Sequence, residues 1–286
     1  KVLYNDNGTA PGIIIEKNNK ILVMLPGPPK ETIPMFEKQV KPFLAQKQEY
    51  TFVSRVLRIA GVGESAMETM VKDLIDSQTN PTIAPYAKDS ESLLRITAKA
   101  KDNKQAEELI TPVAEEMYRR FGHNVYAEGE TNMQTVVAEL LLKKQKTIAT
   151  AESCTGGAIA SALVEYAGIS SVFLDGCVTY SNASKQHRLG VKSETLQKYG
   201  AVSAETAKEM AEGAAKTAGT NIGLSTTGVA GPDGGTEQKP VGLVYIGLTI
   251  DGVTKTKECH FVGNREKIRV RTVHTALDWL RRELLK

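Results

Sequence analysis

The chain has 286 residues, 41% hydrophobic and 24% charged, which is ordinary for globular protein and long enough for two or three domains. Lys and Arg number 36 against 33 Asp and Glu, and a formal charge of +3 is too small to argue for a dedicated nucleic-acid or membrane-surface protein. Composition excludes collagen-like, disordered and disulfide-scaffold classes, and no apolar run approaches the roughly 20 residues that span a bilayer.

The opening residues Lys1 to Asp6 lack the charged and apolar regions of a signal peptide. Cys154, Cys177 and Cys259 form no CxxC pair and suit a reducing compartment, so a cytoplasmic location is expected. The start on Lys1 suggests a chain cut from something longer.

Residues 1–46 hold a strand-like alternation at Ile13 to Glu16, an apolar strand at Ile21 to Leu25, the turn Pro26-Gly27-Pro28-Pro29, and a helix to about Phe43. The segment reads as a small βαβ piece, too short for its own core, that must pack on another domain or chain. Residues 47–127 read as βαββαβ: strand 51–60, helix 64–77, strands 82–87 and 92–100, helix 103–121, and a strand near 123–127. That order predicts a small α+β unit.

Residues 128–286 change to longer αβ units. Helix 133–145 leads to strand 146–151, the turn Ser153-Cys154-Thr155-Gly156-Gly157, helix 158–166 and strand 172–179. A short helix, 183–189, ends at Gly190, and helix 204–218 opens on Ser203 as N-cap. Strand 221–226 enters the Gly-rich loop 228–235, strands 241–250 and 253–261 flank the hairpin turn Asp251-Gly252, and a last helix starts at Arg265 after Asn264. The predicted class is α/β: a C-terminal three-layer domain with a mixed sheet, preceded by the small α+β domain and a fragment of an N-terminal α/β domain.

Three places carry possible chemistry. At 151–157 a hydroxyl precedes a helix N-terminus, whose unpaired N–H groups and dipole favour an alkoxide or oxyanion, while Gly156 and Gly157 allow close approach. Ser153 or Thr155 would equally serve as a simple cap, and Cys154 is a rival nucleophile that also suits a buried core position. At 179–185, Asn182 as N-cap would place Lys185 in the first helical turn, where burial and the dipole depress its pKa enough to make it a base for a serine. Tyr180 could relay the proton or orient the lysine; an exposed helix lysine and a core-edge tyrosine fit the same letters.

The loop from Thr226 and Thr227 through Gly228, Ala230 and Gly231 to Gly235 supplies backbone donors for an anion or ribose, but it has neither the P-loop ending nor GxGxxG. Arg265 and Arg269, four apart on one helix, could clamp a phosphate or be solvated surface arginines. His123, His187, His260 and His274 show no metal-ligand spacing, so no metal is expected. Residues 47–127 carry 11 Lys and Arg against 12 Asp and Glu, a net of −1, and Gly61-Val62-Gly63-Glu64 is not the GxxG that clamps a nucleic-acid backbone, so no nucleic-acid partner is expected.

Ala151-Glu152-Ser153-Cys154-Thr155-Gly156-Gly157, Val178-Thr179-Tyr180-Ser181-Asn182 with Lys185, and Gly228 to Gly235 with Lys239-Pro240-Val241-Gly242 together resemble the CinA (competence/damage-inducible protein A) family. The likeness runs on through Phe261 to Arg265 into the last helix. Residues 47–127 resemble the family's KH-like linker through Arg58 to Ser65 and Asn80 to Ala87, and 1–46 the end of its molybdopterin-binding-like domain.

The resemblance implies a nicotinamide-nucleotide amidase that converts nicotinamide mononucleotide to nicotinate mononucleotide and ammonia without a cofactor. It implies Ser153 as nucleophile, Lys185 as base and Tyr180 as partner in activating Ser153. Thr155, Asn182 and Thr227 to Gly231 would line the substrate site, with the N–H groups near Gly156 and Gly157 on the oxyanion and Arg265 or Arg269 near the phosphate. Partners expected are the nucleotide substrate and a second copy in a homodimer, with no membrane. The family's metal-dependent ADP-ribose pyrophosphatase activity is not expected, since only the last ~46 residues of that domain match. The same pocket without turnover would make a pyridine-nucleotide sensor or scaffold linked to competence or DNA damage.

Overall fold

The computed structural model describes every residue except Asp89. By internal contacts the chain divides into two units, one of residues 1–53 with 98–109, the other of 54–97 with 110–286.

In the first unit β1 (Val2–Leu3), β2 (Gly12–Lys17) and β3 (Lys20–Met24) form an antiparallel sheet in that order. Asn18 and Asn19 both take positive φ, as a two-residue hairpin turn requires. Helix α1 (Pro29–Met35) passes through a π turn into α2 (Lys41–Ala45). The βαβ expectation is therefore corrected: the asparagine pair folds the two apolar strands directly onto each other. The segment also has a small core, Leu3, Ile14, Met35 and Val40, with Val23 and Phe43 packed against it.

The middle stretch follows its expected order: β4 (Thr51–Ile59), α3 (Glu64–Ser77), β5 (Thr82–Ala87), β6 (Ser92–Ala100), α4 (Asn103–Phe121) and β7 (Val125–Glu128). The sheet order is β5-β6-β4-β7. Leu57, Ile59, Met67, Leu94, Ile96 and Met117 are buried, the two-residue alternation of the strands meeting the helical period.

The C-terminal part comprises α5 (Met133–Lys144), β8 (Ile148–Glu152), α6 (Ala158–Val164), β9 (Phe173–Val178), α7 (Asn182–Leu189), α8 (Ser193–Tyr199), α9 (Ala204–Ala218), β10 (Ile222–Gly228), β11 (Leu243–Ile250), β12 (Val253–His260) and α10 (Arg265–Leu284). The sheet runs β12-β11-β10-β8-β9, with β8 parallel to β9 and β10, and β11 antiparallel to β10 and β12. This is the mixed sheet expected. Asp251 and Gly252 both take positive φ at the β11–β12 turn.

Alternation along β8 sorts the layers. Ile148 joins a core with Val137, Ile159, Ile268 and Leu277 from α5, α6 and α10, whereas Ala149 and Ala151 join Leu189, Leu196 and Met210 from α7, α8 and α9. Helix α9 lies close against the sheet because Gly223 and Gly247 have no side chain: a Cβ there would meet the Ala211 and Ala207 carbonyl oxygens at 2.0 and 2.2 Å. Sequence reasoning missed α8, a seven-residue helix ending at Gly200 with no side-chain cap to announce it.

Candidate active site

Two consecutive parallel strands deliver the reactive residues. Ser153 follows the last residue of β8, and Lys185 sits in α7 after β9. The ladder ends between them, where the Thr179 N–H donates to the Glu152 carbonyl at 2.8 Å. Strand C-terminal ends are where α/β sheets place ligands.

Ser181 caps α7, accepting from the Ser184 N–H, so the helix opens one residue earlier than expected, with Asn182 as its exposed first residue. A hydroxyl on Ser181 reaches the third N–H beyond it, as the Asn182 side chain was expected to do. Lys185 then points inward. It is 1% exposed, and its Nζ contacts Ser153 Oγ at 3.1 Å, the Thr179 carbonyl at 2.8 Å and the Tyr180 carbonyl at 3.2 Å. Burial pushes its pKa below the ordinary lysine value, with the neighbouring Cys154 acting in the opposite direction. As a neutral amine it can give its two N–H groups to the carbonyls and receive the Ser153 hydroxyl proton on its lone pair.

Tyr180 is placed differently from its expected role. Its side chain is 64% exposed, its hydroxyl lies 3.4 Å from the Arg265 guanidinium, and only its backbone carbonyl meets Lys185. Cys154 is buried, which pushes its thiol up to about 11, so its thiolate is scarce near neutral pH.

Thr155 is fully buried and its hydroxyl pairs with that of Thr226 at 2.7 Å. The Thr227 hydroxyl lies on the other face of β10, donating to the Ala201 carbonyl at 2.6 Å. Arg265 donates to the Gly231 carbonyl and Arg269 to the Thr155 carbonyl, each at 2.8 Å, tying the start of α10 to both loops. Gly228 closes β10 against Leu243, Ala230 is buried, and Gly231 takes a positive φ.

The N–H groups of Gly156 and Gly157 are engaged within the protein: Gly156 donates to the Ser153 carbonyl and Gly157 to the Glu152 carboxylate. Sequence reasoning gave Glu152 no role. Its signal is an acidic residue ending a strand just before a helix, a carboxylate placed to cap it.

Among the described residues no group of three or more His, Cys, Asp or Glu is arranged to hold a metal ion, and no helix is long and apolar enough to cross a membrane. A cleft of about 710 Å³ lies elsewhere, lined by Gly61, Glu91, His274 and Asp278 among others.

Residues 130–284 match the CinA C-terminal domain, and residues 54–127 the damage-inducible protein CinA KH domain. A protein of Clostridium acetobutylicum named competence-damage inducible protein is 57% identical over 284 residues, covering 99% of this chain and 69% of its own length. One of the same name from Clostridium novyi is 58% identical over 285 residues, with 69% of its length covered. Among solved structures, competence/damage inducible protein CihA from Agrobacterium tumefaciens is 41% identical with a TM-score of 0.51, covering 55% of this chain and 98% of that one. A CinA superfamily protein from Klebsiella pneumoniae is 34% identical with a TM-score of 0.52, covering 54% of this chain and 99% of its own. The chain belongs to the CinA family.

Proposed function

We propose that the C-terminal domain is a serine amidohydrolase that deamidates nicotinamide mononucleotide, the substrate implied by the family resemblance. The observation that carries this reading is the buried contact of Lys185 Nζ with Ser153 Oγ at 3.1 Å, with Lys185 held below its ordinary pKa. A pyridine-nucleotide sensor needs no nucleophile and no neutral lysine.

In the proposed reaction the Ser153 hydroxyl loses its proton to neutral Lys185 as Oγ adds to the carboxamide carbon. The tetrahedral oxyanion collapses and the C–N bond breaks, with the Lys185 ammonium returning the proton to the leaving nitrogen so that ammonia departs. Water then attacks the acyl ester, its proton again passing to Lys185, and nicotinate mononucleotide leaves as Ser153 regains its hydroxyl. The spare N–H donors of Arg265 and Arg269 supply positive charge for the nucleotide phosphate.

The test is ammonia release from nicotinamide mononucleotide by the wild-type chain, Ser153→Ala and Lys185→Ala. Release abolished in both variants is expected. A Ser153→Ala protein with full release would overturn the reading, and a wild type that binds the nucleotide without releasing ammonia would favour the sensor.

A further inference from the structure

The N-terminus of α6 is the obvious anion site beside Ser153, yet it is filled from within the protein. Glu152, 1% exposed, accepts from the Gly157 and Ile159 N–H groups through Oε2, both at 3.0 Å, and from Ala160 through Oε1 at 2.8 Å. The remaining N–H groups of the turn can be followed one by one. That of Ser153 donates to the Thr226 carbonyl at 2.9 Å, Gly156 to the Ser153 carbonyl at 3.1 Å, and Ala158 to the Thr155 carbonyl at 3.3 Å. Between Ser153 and Ala160 the N–H groups left without an oxygen acceptor, among the described residues, are those of Cys154 and Thr155, which face the Cys154 sulfur, a weak acceptor that an oxyanion would displace.

We propose that the Cys154 and Thr155 N–H groups are the oxyanion donors for reaction at Ser153, and that Glu152 is the positioning residue that leaves them as the donors. The inference rests on Ser153 being the nucleophile. An oxyanion grows on the carbon bonded to Oγ, so donors on the residue after the nucleophile and the next one lie nearest to it. Successive N–H groups in a turn form a concave anion nest. The turn is held from outside as well: Thr155 is fixed through its hydroxyl to Thr226 and through its carbonyl to Arg269. The buried carboxylate also closes the end of α6 to a second anion, so a substrate phosphate is directed to Arg265 and Arg269.

The test begins with the wild-type chain treated with phenylmethylsulfonyl fluoride, followed by a crystal structure. The expected result is a sulfonyl ester on Ser153 with one sulfonyl oxygen within ~3.2 Å of both the Cys154 and Thr155 nitrogens. A Ser153 ester with its oxygens on Gly156, on Gly157 or in solvent overturns the donor assignment alone. An unmodified Ser153 overturns it together with the serine reading. Glu152→Gln puts a donor NH2 against the helix N–H groups, and it should slow the sulfonylation rate per folded molecule on the order of 10²-fold with an unchanged pH midpoint, since Lys185 is untouched. A variant that only melts at lower temperature, with its rate per folded molecule intact, removes Glu152 from the proposal.

Discussion

Lys185 reaches from α7 to Ser153, on the turn after β8, at 3.1 Å, and its other partners among the described residues are the carbonyls of Thr179 and Tyr180 rather than a carboxylate. Its stability consequence has a definite sign. The folded pKa lies below the unfolded value of about 10.4, so between the two the unfolded chain binds more protons and stability rises with pH. Lys185→Met lacks this linkage. Chemical denaturation of both proteins across the alkaline range should show the wild type gaining on the variant, and a constant difference would mean that Lys185 titrates normally. Ammonia release in the wild type should likewise rise with pH through the lowered Lys185 pKa.

Tyr180 separates the geometry from the role implied by resemblance. Its hydroxyl faces Arg265 rather than Ser153 or Lys185, so Tyr180→Phe should cost far less kcat than Lys185→Ala. Equal losses would place the hydroxyl in the proton path.

Arg265 and Arg269 are each anchored by one carbonyl, which leaves further donors toward the site. Arg265→Ala should raise KM for nicotinamide mononucleotide ~10- to 100-fold, the worth of a charge-assisted bond, with kcat within a few-fold. The KM for nicotinamide riboside, which lacks the phosphate, should hardly move. An equal rise for both would assign Arg265 to the loop rather than to the ligand.

Gly223→Ala tests the α9 layer. The added methyl would lie 2.0 Å from the Ala211 carbonyl oxygen, and backbone cannot yield as a side-chain tip does. A loss of about 2–3 kcal/mol in urea denaturation is expected.

Cys154 should be dispensable for the chemistry. With its thiol at about 11, alkylation by iodoacetamide should be slow in the folded chain, and Cys154→Ala should keep most of the ammonia release. Rapid inactivation tracking Cys154 labelling would revive the thiol as nucleophile.

Much of this was legible in the letters. The strand alternation, the Asp251-Gly252 turn and the Ser203 and Asn264 caps are local, and so are the elements they mark. The Ser153–Lys185 pair was legible only as two separate motifs, because the contact depends on β8 and β9 lying side by side. What escaped was set by tertiary partners: the Tyr180 hydroxyl is aimed by Arg265, the Thr227 hydroxyl by Ala201, and the N–H groups of Gly157, Ile159 and Ala160 are claimed by Glu152. The Ser181 cap shows the limit of local reading, since either neighbouring residue could have held the helix end.

The parallel pairing of Glu152 with Val178 has a consequence for how the chain can vary in length. Inserting one residue within β9, or between it and Lys185, would turn the lysine away from Ser153, because strand side chains alternate and helical ones rotate by about 100° per residue. The segment from Glu165 to Ser171, between α6 and β9, is under no such constraint of register, since the ladder is re-established from Val172, whose carbonyl accepts from the Ile148 N–H. Relatives with functional sites should therefore differ in length there and keep the spacing from Phe173 to Lys185 fixed.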